Sequence, residues 1–210
     1  MSTLTIAPPL TTAPPPATAT SAIDDLMRIS VERYERMVAL GFITPNDRVE
    51  LLEGLLVLKM SKSPPHRIAN GKLRRALEPL VPPGWYFDAQ EPITLDDSQP
   101  EPDGAVIRGK TEDYATRHPQ PENIAIVIEV ADSSPRRDRE NNRRIYARNG
   151  VAVYWIVNVA DRLVEVYTGP SGATAAPDYA TATTYRPGDA VPVVIAGTAV
   201  GTVNVSDLLP

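Results

Sequence analysis

The run Ile124-Ala125-Ile126-Val127-Ile128, closed by Glu129, constrains this chain more than any other segment. An unbroken apolar stretch rich in β-branched residues suits a strand covered on both faces, which requires further layers above and below it. Burying an unpaired carboxylate is expensive, so Glu129 must be exposed at the strand end, protonated, paired, or ligating a cation. Asp103 poses the same question, because it follows Pro102 and opens the apolar segment Gly104-Ala105-Val106-Ile107. For either residue alone, a solvated strand end is the ordinary reading.

Periodicity predicts what surrounds that strand. Ser30 is an N-cap for a short amphipathic helix through Leu40, with Gly41 as its stop. Arg48 to Leu52 and Leu55 to Met60 flank Glu53-Gly54 as a β-hairpin. Pro64 and Pro65 open a helix through Leu80, on which His66, Asn70, Leu73 and Leu77 share one face. Trp85 to Phe87, Ile93 to Leu95 and Gly104 to Ile107 read as short strands, and Arg137 to Asn149 as a polar helix stopped by Gly150. Val151 to Val157 and Leu163 to Tyr167 form another strand pair. Gly169 to Thr184 reads as a Gly/Ala/Thr/Pro-rich connection, and Val191 to Leu209 as a closing apolar segment. Alternating strands and helices give an α/β fold with a mixed central sheet flanked by helices.

The 210 residues fit one domain from 23 to 210, preceded by a disordered tail, 1–22, whose Pro, Thr, Ala and Ser cannot offset the entropy of ordering. The absence of cysteine excludes a disulfide scaffold, a thiolate zinc site, an iron–sulfur cluster and thiol catalysis. Any metal must sit on oxygen or histidine. No segment has the length and apolarity of a membrane span, and no basic start with an apolar core marks a secretory signal, so a cytoplasmic location is expected. The net charge of -5 exerts no overall pull on nucleic acid, which would need a local basic patch.

Glu50 adds a third acidic candidate, since in the alternation of the first hairpin strand it faces either the helix layer or solvent. Acidic residues gathered from three strands form the recurring arrangement for Mg²⁺, a cation that prefers oxygen ligands and keeps waters for phosphodiester hydrolysis. His66 reads as a hydrogen-bonded helix-start residue, or as a contact to metal or phosphate. The arginines from 136 to 148 either track a phosphate backbone, with Arg137, Arg144 and Arg148 on one side, or form a solvated face paired with Asp138 and Glu140.

Taken in order, Glu50-Leu51-Leu52-Glu53-Gly54, Pro64-Pro65-His66, Gln99-Pro100-Glu101-Pro102-Asp103, Val127-Ile128-Glu129-Val130-Ala131-Asp132-Ser133-Ser134, Tyr146-Ala147-Arg148-Asn149-Gly150 and Tyr154-Trp155-Ile156-Val157 resemble the Uma-two family of endonucleases. That family belongs to the PD-(D/E)XK restriction-endonuclease-like nucleases, and the resemblance covers about Ser30 to Tyr167, with a similar closing segment near Val203 to Pro210. It implies a restriction-endonuclease-like fold and Mg²⁺-dependent hydrolysis of DNA, with Mn²⁺ as a substitute ion. Asp103 and Glu129 become metal ligands, and Glu50 and His66 supporting catalytic groups. The family's lysine, in the pattern Asp-x-x-x-Lys-x-x-x-Tyr, falls at Asn142 between Asp138 and Tyr146. Asparagine orients water but supplies no positive charge. Either Arg143 or Lys59 substitutes, or the chain is a catalytically impaired nuclease fold that binds DNA or a protein. Exposed strands in such folds often pair, which makes a homodimer one expectation.

Overall fold

The computed structural model describes residues 26–132 and 138–210. The expected tail and Arg137 lie outside those residues.

The architecture is a six-stranded mixed sheet with structure on both faces, as the sequence predicts. Its strands are β3 (Trp85–Asp88), β4 (Gly104–Arg108), β5 (Ile124–Ala131), β6 (Val153–Asn158), β7 (Leu163–Pro170) and β8 (Tyr179–Tyr185), hydrogen-bonded in that order. Only β5 and β6 run parallel. The described part of the crossover between them is helical: a π-helical turn, Asp138–Asn142, leads into α3 (Arg143–Arg148). A parallel pair needs such a crossover, and helical is its usual form.

The apolar run becomes β5, buried along its whole length. Ile126, Ile128 and Val130 face one core with Leu73 and Leu77 of α2 (Pro64–Leu77). The same core receives the hairpin β9 (Ala190–Ile195) and β10 (Thr198–Asn204), and the closing turn α4 (Val205–Leu208). Val127 and Ala131 face a second core built from Ile145, Tyr146 and Ala147 of α3. Glu129 shares the parity of that second face.

The amino-terminal elements follow their caps. Ser30 accepts a hydrogen bond from the Arg33 amide at 3.2 Å and starts α1 (Val31–Ala39), and Ser63 caps α2 through the His66 amide in the same way. The hairpin of β1 (Val49–Leu52) and β2 (Leu55–Leu58) turns at Glu53 and Gly54, both with positive φ, the backbone of a type I′ turn. Val38 and Leu40, predicted to share the apolar stripe of α1, are exposed.

Two expectations are corrected. Ile93 to Leu95 is not a strand: Ile93 and Leu95 are buried, but their backbone bonds to Pro100 and Ser98 of the same loop and, through Thr94, to Pro119 of the β4–β5 connection, with prolines interrupting any ladder. The Gly169 to Thr184 stretch is not only a connection, since its end forms β8, an edge strand whose threonines pair against β7 while exposed to solvent. Among the described residues, no helix is long and apolar enough to cross a membrane.

Candidate active site

Sheet register brings the acidic residues together. Gly104 pairs with Ile128 across the antiparallel β4–β5 ladder, so Asp103, one residue before, stands opposite Glu129, one residue after. Gly104 has no room for a side chain, because a Cβ there would meet the Phe87 ring at 2.8 Å and crowd Leu73. Asp103 and Glu129 are only 7% and 9% exposed, and both line a cavity of about 120 Å³. Glu50 of β1, His66 of α2 and Asn142 of the π-helical turn line it too, so the five residues singled out in the sequence share one cavity. For Glu50, the open alternative is resolved toward the cavity.

Asp103 is held from three elements. Its Oδ2 accepts the Val130 amide of β5 at 3.0 Å and lies 3.0 Å from His66 Nε2, while its Oδ1 accepts Asn70 Nδ2 at 3.3 Å. The apolar stripe predicted for α2 thus begins with two polar residues, His66 and Asn70, that serve Asp103. With the carboxylate as acceptor, His66 carries its hydrogen on Nε2. His66 Nδ1 is buried and has no partner among the described residues.

Glu129 has a different setting. Its Oε1 accepts the Tyr146 hydroxyl at 2.8 Å and Asn142 Nδ2 at 3.4 Å. Burial pushes its carboxyl well above the usual carboxylate range, and the nearby Asp103 and Asp138 carboxylates push it further; the Tyr146 hydrogen bond only partly opposes them. Asn142 Nδ2 also donates to Asp138 Oδ1 at 3.0 Å. With its amide nitrogen between two carboxylates, its Oδ1 is left buried and without a partner among the described residues. Asp138, Asn142 and Tyr146 therefore do converge on Glu129. The π-helical turn supplies the geometry, a distortion frequent at functional sites.

The cations divide by location. Arg143, expected as one substitute for the absent lysine, pairs with Asp178 at 3.2 Å, sits over the Tyr167 ring and does not line the cavity. Lys59, the other, does line it, paired with Glu101. Arg144 and Arg148, expected on a nucleic-acid face, are engaged within the fold: both bind Glu53 in the hairpin turn, at 2.6 Å and 3.0 Å, and Arg148 also binds Asp97. Their partners are not Asp138 and Glu140, the pairing that a solvated helix predicts. Sequence reasoning missed Lys62, whose Nζ lies 3.8 Å from Asp103 Oδ1. Its signal was the spacing Lys59-x-x-Lys62 directly before the prolines that open α2.

With this geometry established, comparison with known proteins is decisive for the family. The family described as "Uma2: Putative restriction endonuclease" matches residues 31–200. The chain belongs to the Uma2 family. None of the curated proteins compared with it is a match. Among solved structures, this Uma2 chain is similar to one titled a putative nuclease belonging to DUF820 from Anabaena variabilis ATCC 29413, with a TM-score of 0.60, 16% identity, and coverage of 86% of this chain and 97% of that one. At that identity the likeness speaks for the fold, a nuclease-like mixed sheet flanked by helices. Divalent metals are usual in restriction-endonuclease-like families, and membership places this Uma2 chain among nuclease-like proteins.

Proposed function

We propose that the protein is a Mg²⁺-dependent endonuclease that hydrolyses DNA phosphodiester bonds, with Asp103 and Glu129 as metal ligands, Glu50 and His66 as supporting groups and Asn142 orienting water. The observation that carries this reading is the pair of buried carboxylates placed opposite each other by β-sheet register and opening into one cavity. Two such groups repel, and a divalent cation between them relieves that cost.

The donor set fits Mg²⁺. Among the described residues, no three His, Asp or Glu side chains are gathered to hold an ion by themselves. Mg²⁺ ordinarily takes one or two carboxylates, keeps several waters and adds substrate phosphate, so a pair of carboxylates beside a small polar cavity suits it. When bound, the ion supplies charge neutralisation at the phosphate and lowers the pKa of its water. The protein does the rest. The Val130 amide, His66 and Asn70 fix Asp103, Tyr146 holds Glu129, and the buried Asn142 Oδ1 offers an acceptor for a water hydrogen.

Nicking of supercoiled plasmid with Mg²⁺, Mn²⁺ or EDTA tests the reading, together with calorimetric Mn²⁺ titration of the native chain and of Asp103→Ala. Cleavage that requires the ion, and Mn²⁺ binding lost in Asp103→Ala, are expected; equal Mn²⁺ binding by both removes the metal site. A second reading, a nuclease fold that binds DNA or a protein without cutting, is favoured by neutral Asn142 beside Glu129. Duplex binding without cleavage under every ion would select it.

The proposal takes 23–210 as one domain, because β9, β10 and α4 share a core with β5 and α2, and keeps the cytoplasm as its location. It also includes a homodimer, since Leu56 of the short β1–β2 sheet is an exposed apolar side chain. Sedimentation equilibrium checks the dimer, and a monomer removes it.

A further inference from the structure

Among the described residues, the cavity that gathers the carboxylates is lined by more acidic than basic side chains. Glu50, Glu101, Asp103, Glu129, Asp132 and Asp138 all line it, against Lys59 and Lys62. A phosphodiester that approaches carboxylates is repelled unless a cation meets it. Position 142, where the family pattern has lysine, carries a neutral amide.

Among the described residues, four nearby cations are committed elsewhere. Lys59 is paired with Glu101, Arg143 with Asp178, and Arg144 and Arg148 with Glu53. Lys62 differs from all of them. It stands in the loop between β2 and α2, its side chain is 49% exposed, and its ion pair with Asp103 is loose at 3.8 Å. A lysine is a compact charge on a flexible stem, so a loose pair of this kind exchanges readily for a phosphate oxygen.

We infer that Lys62 is a substrate-contacting residue that binds a non-bridging oxygen of the DNA phosphate seated against Asp103 and Glu129, supplying from the β2–α2 loop the positive charge that position 142 lacks. This rests on the nuclease reading above. It differs from a charge that merely tethers the loop, because its work is done on the substrate.

The test uses the full chain and the variants Lys62→Ala, Lys62→Arg and Lys62→Ala/Asn142→Lys. Binding of a short DNA duplex is measured across a salt series with Ca²⁺ in place of Mg²⁺, and plasmid cleavage with Mg²⁺. In Lys62→Ala the slope of log affinity against log salt should shrink by about 1, while Lys62→Arg retains it. Cleavage by Lys62→Ala should drop by about 10²–10³-fold, and the double variant should regain much of it, a rescue that a loop tether does not predict. Mn²⁺ binding should be no weaker in Lys62→Ala, which separates loss of a phosphate contact from loss of the metal site. An unchanged slope with unchanged cleavage overturns the inference while leaving the nuclease reading intact. If the native chain cuts no DNA under any ion, the nuclease reading fails, and the slope alone then decides whether Lys62 meets phosphate.

Discussion

Tyr146 and Asn142 show how much depends on single atoms at Glu129. The Tyr146 hydroxyl is the closest donor to this carboxylate at 2.8 Å, and both residues are almost wholly buried. Removing it leaves a buried acceptor short of a partner, so Tyr146→Phe should destabilise the protein by about 1–3 kcal/mol despite conserving the ring. Urea unfolding measures this, and an unchanged midpoint would mean that water replaces the hydroxyl at no cost. Asn142 is the opposite case, a residue whose replacement should increase function. Asn142→Lys places an ammonium group between Glu129 and Asp138, and by the size of one preorganised donor it should raise plasmid nicking by about tenfold or more. Initial rates against Asn142→Ala check it. Equal rates for the two variants would exclude a catalytic charge at this position.

At the scale of elements, the β1–β2 hairpin is fastened to α3 by its own turn. Glu53 accepts from Arg144 and Arg148, and its backbone amide donates to Ser98 Oγ at 2.8 Å. This clamp links the strand carrying Glu50 to the helix that follows Asn142. The Arg144 hydrogen bond, helped by the charges of Arg144, Arg148 and Arg28, holds the Glu53 carboxyl below its ordinary value of 4.5 although partial burial acts the other way. A depressed folded-state value means that the stabilisation is complete above the ordinary value and is lost as pH falls through the lower one. Urea unfolding across that acidic window should therefore show stability declining with pH, and Glu53→Gln should flatten the decline. An identical pH slope in the variant would assign acid sensitivity to other groups. Near neutrality the same variant should cost about 1.5–3 kcal/mol, the range for a hydrogen bond to a charged group.

At the scale of the whole molecule, the described residues carry a core on each face of the six-stranded sheet, joined through β5, and a third, small cluster of Tyr34, Ile43 and Leu51 between α1 and the β1–β2 hairpin. The tail contributes neither apolar periodicity nor a hydrophobic face in its sequence. Deleting residues 2–22 should leave the melting temperature unchanged within about 2 °C, less than the shift that about 1 kcal/mol causes in a domain of this size. Differential scanning calorimetry of the two forms decides it, and a fall of many degrees would show that the tail packs.

By itself the sequence determined the elements whose signals are local. The apolar run of β5, the Ser30 cap, the Glu53-Gly54 turn and the Pro64-Pro65 start of α2 all depend on neighbours within a few residues, and each lies where its pattern places it. It did not determine β8, whose exposed Thr and Ala carry no burial signal, nor the irregular course of Ile93 to Leu95, where burial occurs without a ladder. The candidate site divides in the same way. The acidic residues were legible because a carboxylate beside an apolar strand is costly, whereas their convergence required the β4–β5 register that sets Asp103 opposite Glu129. The fate of the cations was decided only by tertiary structure. Arg144 and Arg148 reach Glu53 across 91 and 95 residues of chain, and Lys62 approaches Asp103 from a loop that sequence reasoning passed over. Charge pairing acts through space over a few ångströms, and helical spacing reports only which charges share a face, not what the fold brings against it.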